Sequence, residues 1–256
     1  MKSKNFIAYL TLSRKEINRI LRIWPQTLVP SMITQSLYFI IFGNFIGSRL
    51  GDIAGVSYVA FIVPGLVMMS IINNSYTNVS GSFFSSKFMG SIEELLVSPA
   101  PNWVIIAGYA TAGIFRGILV GLLVFFISCL FTRPQIHNII IVAIFVILTS
   151  AVFSLAGFLN GILAKKFDDI SIFPTFILTP LTYLGGVFYS VKSLPAFWQS
   201  VSNFNPILYM INGFRFGLYG YSDVNIMMSL MIIIFFIIFQ ISLIVYILQK
   251  GYGLKS

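Results

Sequence analysis

Charge is what this sequence has least of. Only 9% of its 256 residues are Asp, Glu, Lys or Arg, against about a quarter in an ordinary soluble domain. Acidic residues are the scarcer sign, 7 against 16 Lys and Arg, for a formal net charge of +9. A globular chain of this length would have too few polar side chains to cover its surface, so a soluble enzyme is excluded. Nucleic-acid binders are densely charged as well as basic, so that class is excluded too, and the 57% hydrophobic content excludes a disordered tail. One cysteine, Cys129, cannot form an internal disulfide. One cysteine and one histidine, His137, cannot by themselves build a zinc site. There is no His-Glu-x-x-His motif and no Gly-x-Ser-x-Gly elbow. No Gly-Lys pair occurs anywhere, so the chain has no phosphate-binding loop and does not hydrolyse ATP on its own. The basic first two dozen residues lack a short apolar core with a small-residue cleavage site, so no cleavable signal peptide is expected.

What the chain does have is long apolar runs. A membrane-spanning helix needs about 20 mostly apolar residues, and six stretches qualify: 27–46, 57–77, 103–130, 138–164, 170–190 and 225–248. Arg116 is the one full charge inside them. The expected fold class is therefore an all-α integral membrane protein of one domain over 1–256. Loop Lys and Arg set orientation. With the N-terminus in the cytoplasm, Lys2, Lys4, Arg14, Lys15, Arg19, Arg22, Lys87, Lys165, Lys166, Lys250 and Lys255 lie inside. Only Arg49, Arg133, Lys192 and Arg215 lie outside. Both termini are accordingly expected in the cytoplasm.

Residues 6–24 read as an amphipathic helix in the interface. Phe6, Leu10, Ile17, Ile20, Leu21 and Trp24 share a face, Lys15, Arg19 and Arg22 lie opposite, and Pro25 stops the pattern. Such a helix is either a membrane anchor or a lever that also contacts a cytoplasmic partner. In the long cytoplasmic loop, Gly90-Ser91-Ile92-Glu93-Glu94-Leu95-Leu96-Val97-Ser98-Pro99 reads as a short helix with Ser91 and Glu94 in a capping box. Its apolar side either packs on the protein's own helix ends or docks into a partner. Gly113, Gly117 and Gly121 share a face of the third span, and Gly157 and Gly161 a face of the fourth. That spacing lets helices approach closely, within one subunit or between two. Counting from Trp103, Arg116 lies roughly 20 Å along its helix. It should face the bundle interior, where Asn73, Asn74 or Tyr76 are in reach, as a polar clamp or as part of a substrate path. Pro174 and Pro180 break the fifth span, and breaks of that kind persist only against protein or water. Residues 190–216, with helix starts at Leu194-Pro195 and Asn205-Pro206, read as re-entrant or interfacial helices on the outer side.

These pieces, in this order, resemble the membrane permease subunits of type-2 ABC exporters along essentially the whole chain. The residues that carry the resemblance are Ile92-Glu93-Glu94-Leu95-Leu96-Val97-Ser98-Pro99, Phe173-Pro174-x5-Pro180-Leu181, Gly185-Gly186-Val187-Phe188, Leu194-Pro195, and Asn205-Pro206-x2-Tyr209 with Arg215 behind. The resemblance implies a bacterial inner-membrane homodimer working with two copies of a separate ABC ATPase that holds ATP and Mg, with no cofactor on this chain. Ile92, Glu93, Glu94, Leu95, Leu96 and Pro99 would belong to the coupling helix. Asn73, Asn74, Arg116, Pro174 and Pro180 would lie on or near a pathway lined by the second and fifth spans. Asn205, Pro206, Tyr209 and Arg215 would belong to its outer gate. A second reading, a membrane scaffold or assembly factor without transport, rests on the scarcity of ionisable residues in the spans. The lipid bilayer is a partner under both readings and nucleic acid under neither; the resemblance leaves the cargo open among drugs, lipids, polysaccharides and glycolipids.

Overall fold

A computed structural model describes residues 2–53 and 55–253; Lys255, counted above with the cytoplasmic charges, lies outside them. Helix α1 spans Lys2–Arg22. A one-residue break at Ile23 leads into α2, Trp24–Tyr38. Pro25 therefore opens α2, where its missing N–H costs nothing, and does not end the preceding pattern. The helical path continues through a π segment, Phe39–Ile46, into the short α3, Gly47–Leu50. A two-residue hairpin, β1 Asp52–Ile53 and β2 Val56–Ser57, pairs Ile53 with Val56 and leads into the central helix α4, Tyr58–Phe88.

The short α5, Ser91–Val97, precedes α6, Asn102–Ser128, and α7, Ile139–Leu163. Next come α8, Phe167–Phe173, a π segment at Pro174–Leu178, and α9, Thr179–Leu184. Two shorter helices, α10 at Ala196–Asn203 and α11 at Pro206–Tyr219, lie before the last long helix, α12, Ile226–Lys250.

Among the described residues, four helices are long and apolar enough to cross a membrane: α4, α6, α7 and α12. The first and fifth apolar stretches are not single long helices. Both run through π turns, and in the fifth the turn begins at Pro174, whose ring cannot donate to the ladder. That stretch also stops earlier than hydropathy suggests, because Gly186 takes φ +78° and turns the chain at the end of α9. In contrast α4 runs eleven residues past 77, since hydropathy marks where the apolar run ends and not where the helix ends.

Helix α4 is the axle of the molecule: 89% of its most apolar window is buried, against 33%, 39% and 22% for α6, α7 and α12. Water does not drive helices together inside a bilayer, so close packing must. A Cβ on Gly157 would run into the Tyr76 carbonyl, and one on Gly161 would lie 3.1 Å from the Ser80 carbonyl. Gly113 faces Ser154 and Val79, Gly117 faces Ser75 and Ser150, and Gly121 would meet Ile71 at 2.7 Å. All five glycines therefore sit in contacts within this chain, where α6 and α7 close on α4.

Candidate functional site

One face of α4 carries Ser70, Asn74, Asn78 and Ser82 at four-residue spacing, and three other helices reach it. From α2, Ser31 accepts from Asn74 Nδ2 at 3.2 Å. From α6, Arg116 Nη2 donates to Asn74 Oδ1 at 3.1 Å. From α1, Arg19 Nη2 donates to Asn78 Oδ1 at 3.1 Å and its Nε to Glu16 at 3.1 Å, while Ser82 Oγ also donates to Glu16. Glu16 is 1% exposed. A carboxylate removed from water needs hydrogen bonds to offset desolvation, and Arg19 and Ser82 donate them. Asn73 lies beside Asn74 but turns its amide back to the Met69 carbonyl.

This seam corrects one expectation. Arg19 does not point with Lys15 and Arg22 toward headgroups; it turns inward, because α1 packs on α4 and α6 through Leu12, Ser13, Glu16 and Ile20. Phe6, Ile7 and Leu21, with Trp24 at the start of α2, are the exposed large apolar side chains here. Helix α1 lies across the start of α6, with Tyr9 beside Trp103 and its hydroxyl 3.0 Å from Thr111. Asn74 and Asn78 are one turn apart, so Arg116 stands about 6 Å from the level that Arg19 reaches.

Helix α5 has two unlike sides. Ile92 is 1% exposed and joins Leu12, Val79, Phe83 and Tyr109 in a cluster against which Leu95 packs. Glu93, Glu94 and Val97 face outward, and Pro99 follows the helix, also exposed. The side chain of Leu96 is outside the described residues. The expected capping box does not form. Gly90, at φ +74°, takes the cap position, and Ser91 Oγ donates back to the Ser86 carbonyl. A left-handed turn there needs glycine, which moves Ser91 one position into the helix. A cavity of about 470 Å³ separates α5 from α1, with Lys15 and Glu94 in its wall. Just before α5, Lys87 Nζ donates at 2.8 Å to the Ile162 and Ala164 carbonyls, capping α7. Where α8 begins, Asp169 accepts from the Lys165 and Lys166 amides at 2.8 and 3.0 Å. Those two bonds hold its carboxyl below the ordinary range.

A third region is a groove on α4's least covered side. Thr77 is exposed and Asn73 half-buried. Helix α2 forms one wall, where a cavity of about 210 Å³ is lined by Pro30, Ser31, Thr34, Gln35, Met69, Ser70, Asn73 and Asn74. Helices α8 and α9 form the other wall: Tyr76 stacks on Phe173 with ring centres 5.4 Å apart, and Tyr38 and Tyr183 hydroxyls meet at 3.4 Å. Pro174 is half-buried and Pro180 exposed. The first apolar stretch thus joins the second and fifth here.

At the opposite end from α5, Asn205 caps α11 through the Ile207 amide and ties it to α9 by donating to the Leu181 carbonyl at 2.6 Å. Pro206 occupies the first turn, and Tyr209 donates to the Asn203 carbonyl at 2.8 Å. Arg215 is 1% exposed, not a surface charge. It donates to the Gly186 carbonyl at 2.7 Å and lies over the Phe61 ring at 4.2 Å. Its neighbour Asn212 accepts from the Asp223 amide, and the Asp223 carboxylate accepts from Ser190 and Tyr221 with Lys192 at 3.8 Å. Burial, then the Asp223 hydrogen bond, pushes the Tyr221 phenol up. Glu16 and Asp223 are the residues the sequence reading missed. The available signal was their sign, since only seven acids exist.

The sequence matches the model of the ABC-2 type transporter family over residues 7–219. The chain belongs to that family. It is the membrane permease subunit of an ABC transporter. Its relatives include the inner membrane transport permease YadH of Escherichia coli strain K12, 55% identical over 251 residues and 98% of each chain. The nodulation protein J of Neorhizobium galegae is 21% identical over 210 residues, 82% of this chain and 80% of the relative. The seam, α5, the groove and α11 all lie within the matched residues of this permease.

Proposed function

We propose that the permease works as an exporter in the bacterial inner membrane, as two identical copies with two separate ABC ATPase subunits that hold ATP and Mg. The path Trp24–Leu50 and the path 170–184 complete six crossings with the four long helices, and the Lys and Arg bias supports both termini in the cytoplasm. Helix α5 is the coupling helix. The observation that carries this reading is its division into an anchored side, Ile92 and Leu95, and an exposed side, Glu93, Glu94 and Val97. A load applied to the exposed side passes to the cluster shared with α1 and α4. From there the Glu16–Arg19 pair and the Asn78–Asn74 seam lead to Arg116 and to Ser31 in the groove wall. The groove of α2, α4 and α8–α9 faces its counterpart in the second copy and forms the route. Helices α10 and α11, with Asn205, Pro206, Tyr209 and Arg215, cover the outer end.

The test is Glu93→Lys with Glu94→Lys, which leaves the anchored side intact. The pair should abolish stimulation of the partner ATPase by the permease while the thermal transition is unchanged. Stimulation equal to that of the unaltered chain contradicts the assignment of α5.

A further inference from the structure

A third cavity, of about 250 Å³, lies between α6 and α7 beneath the connection 129–138. Its floor is Ile71, Phe214 and Leu218, each at most 2% exposed, and its rim includes Leu122, Ile139 and Ala143, all open to the outside. Every residue lining it is apolar. Such a space gives water no hydrogen-bond partner; apolar cavities of about 150 Å³ stay dry and take up benzene. A polar cargo would fare no better. At about 30 Å³ per methylene, taken as the share of one liquid water, the slot holds roughly eight methylenes. Its roof is fixed, because the His137 and Asn138 amides donate to the Leu218 and Gly217 carbonyls at 3.0 and 2.8 Å.

We propose that this slot binds one acyl chain of a phospholipid from the leaflet on the side of loop 129–138. The exposed apolar rim on two bilayer-length helices places the mouth against hydrocarbon. The loop above carries exposed Arg133 and His137 and no acidic residue, which suits a phosphate at the headgroup level. The chain would brace α11 from behind, since Phe214 and Leu218 belong to that helix. This proposal is independent of the role given to α5.

The test is native mass spectrometry of the full chain purified in a mild detergent, with any ATPase subunit it retains. The unaltered chain should keep a single phospholipid per copy, or regain one when phosphatidylglycerol is added. Ala143→Phe should lower retention several-fold without moving the thermal transition. Leu122→Trp, filling the slot from the other wall, should do the same and serves if Ala143→Phe does not fold. Arg133→Gln should shift the retained lipid from phosphatidylglycerol toward phosphatidylethanolamine. Equal retention by the unaltered chain and both wall variants overturns the proposal, as does a broad distribution of bound lipids with no preferred number. Failure of the bare protein to take up phosphatidylglycerol overturns it as well.

Discussion

Glu16 shows how a single side chain decides the placement of a helix. It is the one acid in a basic, amphipathic segment, and it is buried with Arg19 and Ser82. Apolar periodicity cannot locate it, because the contact face of α1 is part polar. Glu16→Gln keeps an acceptor but leaves Arg19 without its counter-charge. Arg19 is 36% exposed, so solvent screens the loss, and the expected cost is about 1–2 kcal/mol, read from the thermal transition. Arg215 is a harsher case, being wholly enclosed between Phe61 and Gly186. Arg215→Met takes away the donor to the buried Gly186 carbonyl and to Asn212, while Asp223 keeps Ser190, Tyr221 and Lys192, and should cost about 2–3 kcal/mol. Arg215→Lys should recover little, since a point charge cannot hold the stacked, forked geometry. At Asp169 the prediction concerns pH. Its folded value lies below the ordinary 3.8 because two amides bind the charged form. The stabilisation is therefore complete above about 3.8 and lost as pH falls through the lower folded value. Hydrogen exchange at the Lys165 and Lys166 amides should accelerate over that acid range, and already at neutral pH in Asp169→Ala.

Among the elements, long helices were readable and irregular ones were not. Helices α6, α7 and α12 begin and end within two residues of their apolar runs, because composition and length coincide in a bilayer-crossing helix. The π segments of the first and fifth stretches have no comparable composition; Pro174 marks one, and nothing in Phe39–Ile46 announces the other. The starts of α10 and α11 follow Pro195 and Asn205-Pro206, where proline chemistry is local and legible. Small-residue spacing identified the faces of α6 and α7 but not their partner, which the approach of Gly157 to the Tyr76 backbone supplies. A backbone oxygen cannot move aside as a side chain can. Gly157→Val should therefore cost more than about 3 kcal/mol or prevent assembly, whereas Gly81→Ala, with open space around it, should leave the thermal transition where it is.

For the molecule as a whole, scarcity of charge becomes a division of labour. The few acids of this permease sit at its ends: Glu16 fastens α1, Asp169 the start of α8, Asp223 the network at the end opposite α5, and Glu93 and Glu94 remain exposed on α5. Class and element order were legible because a bilayer imposes length and apolarity. The groove was not, since it depends on which face of α4 the other helices leave uncovered. If the groove faces a second copy, Thr77→Cys in a Cys129→Ser background should give a disulfide-linked dimer on mild oxidation, and Ile234→Cys on the exposed face of α12 should not. The most direct measurement is recovery of an ABC ATPase subunit with the tagged full-length permease from its native membrane, quantified for the unaltered chain and for Glu93→Lys with Glu94→Lys. Two ATPase copies per two permease copies with the unaltered chain, lost from the double variant at an unchanged thermal transition, is the expected result. Equal recovery with both chains, or no ATPase with either, would contradict it.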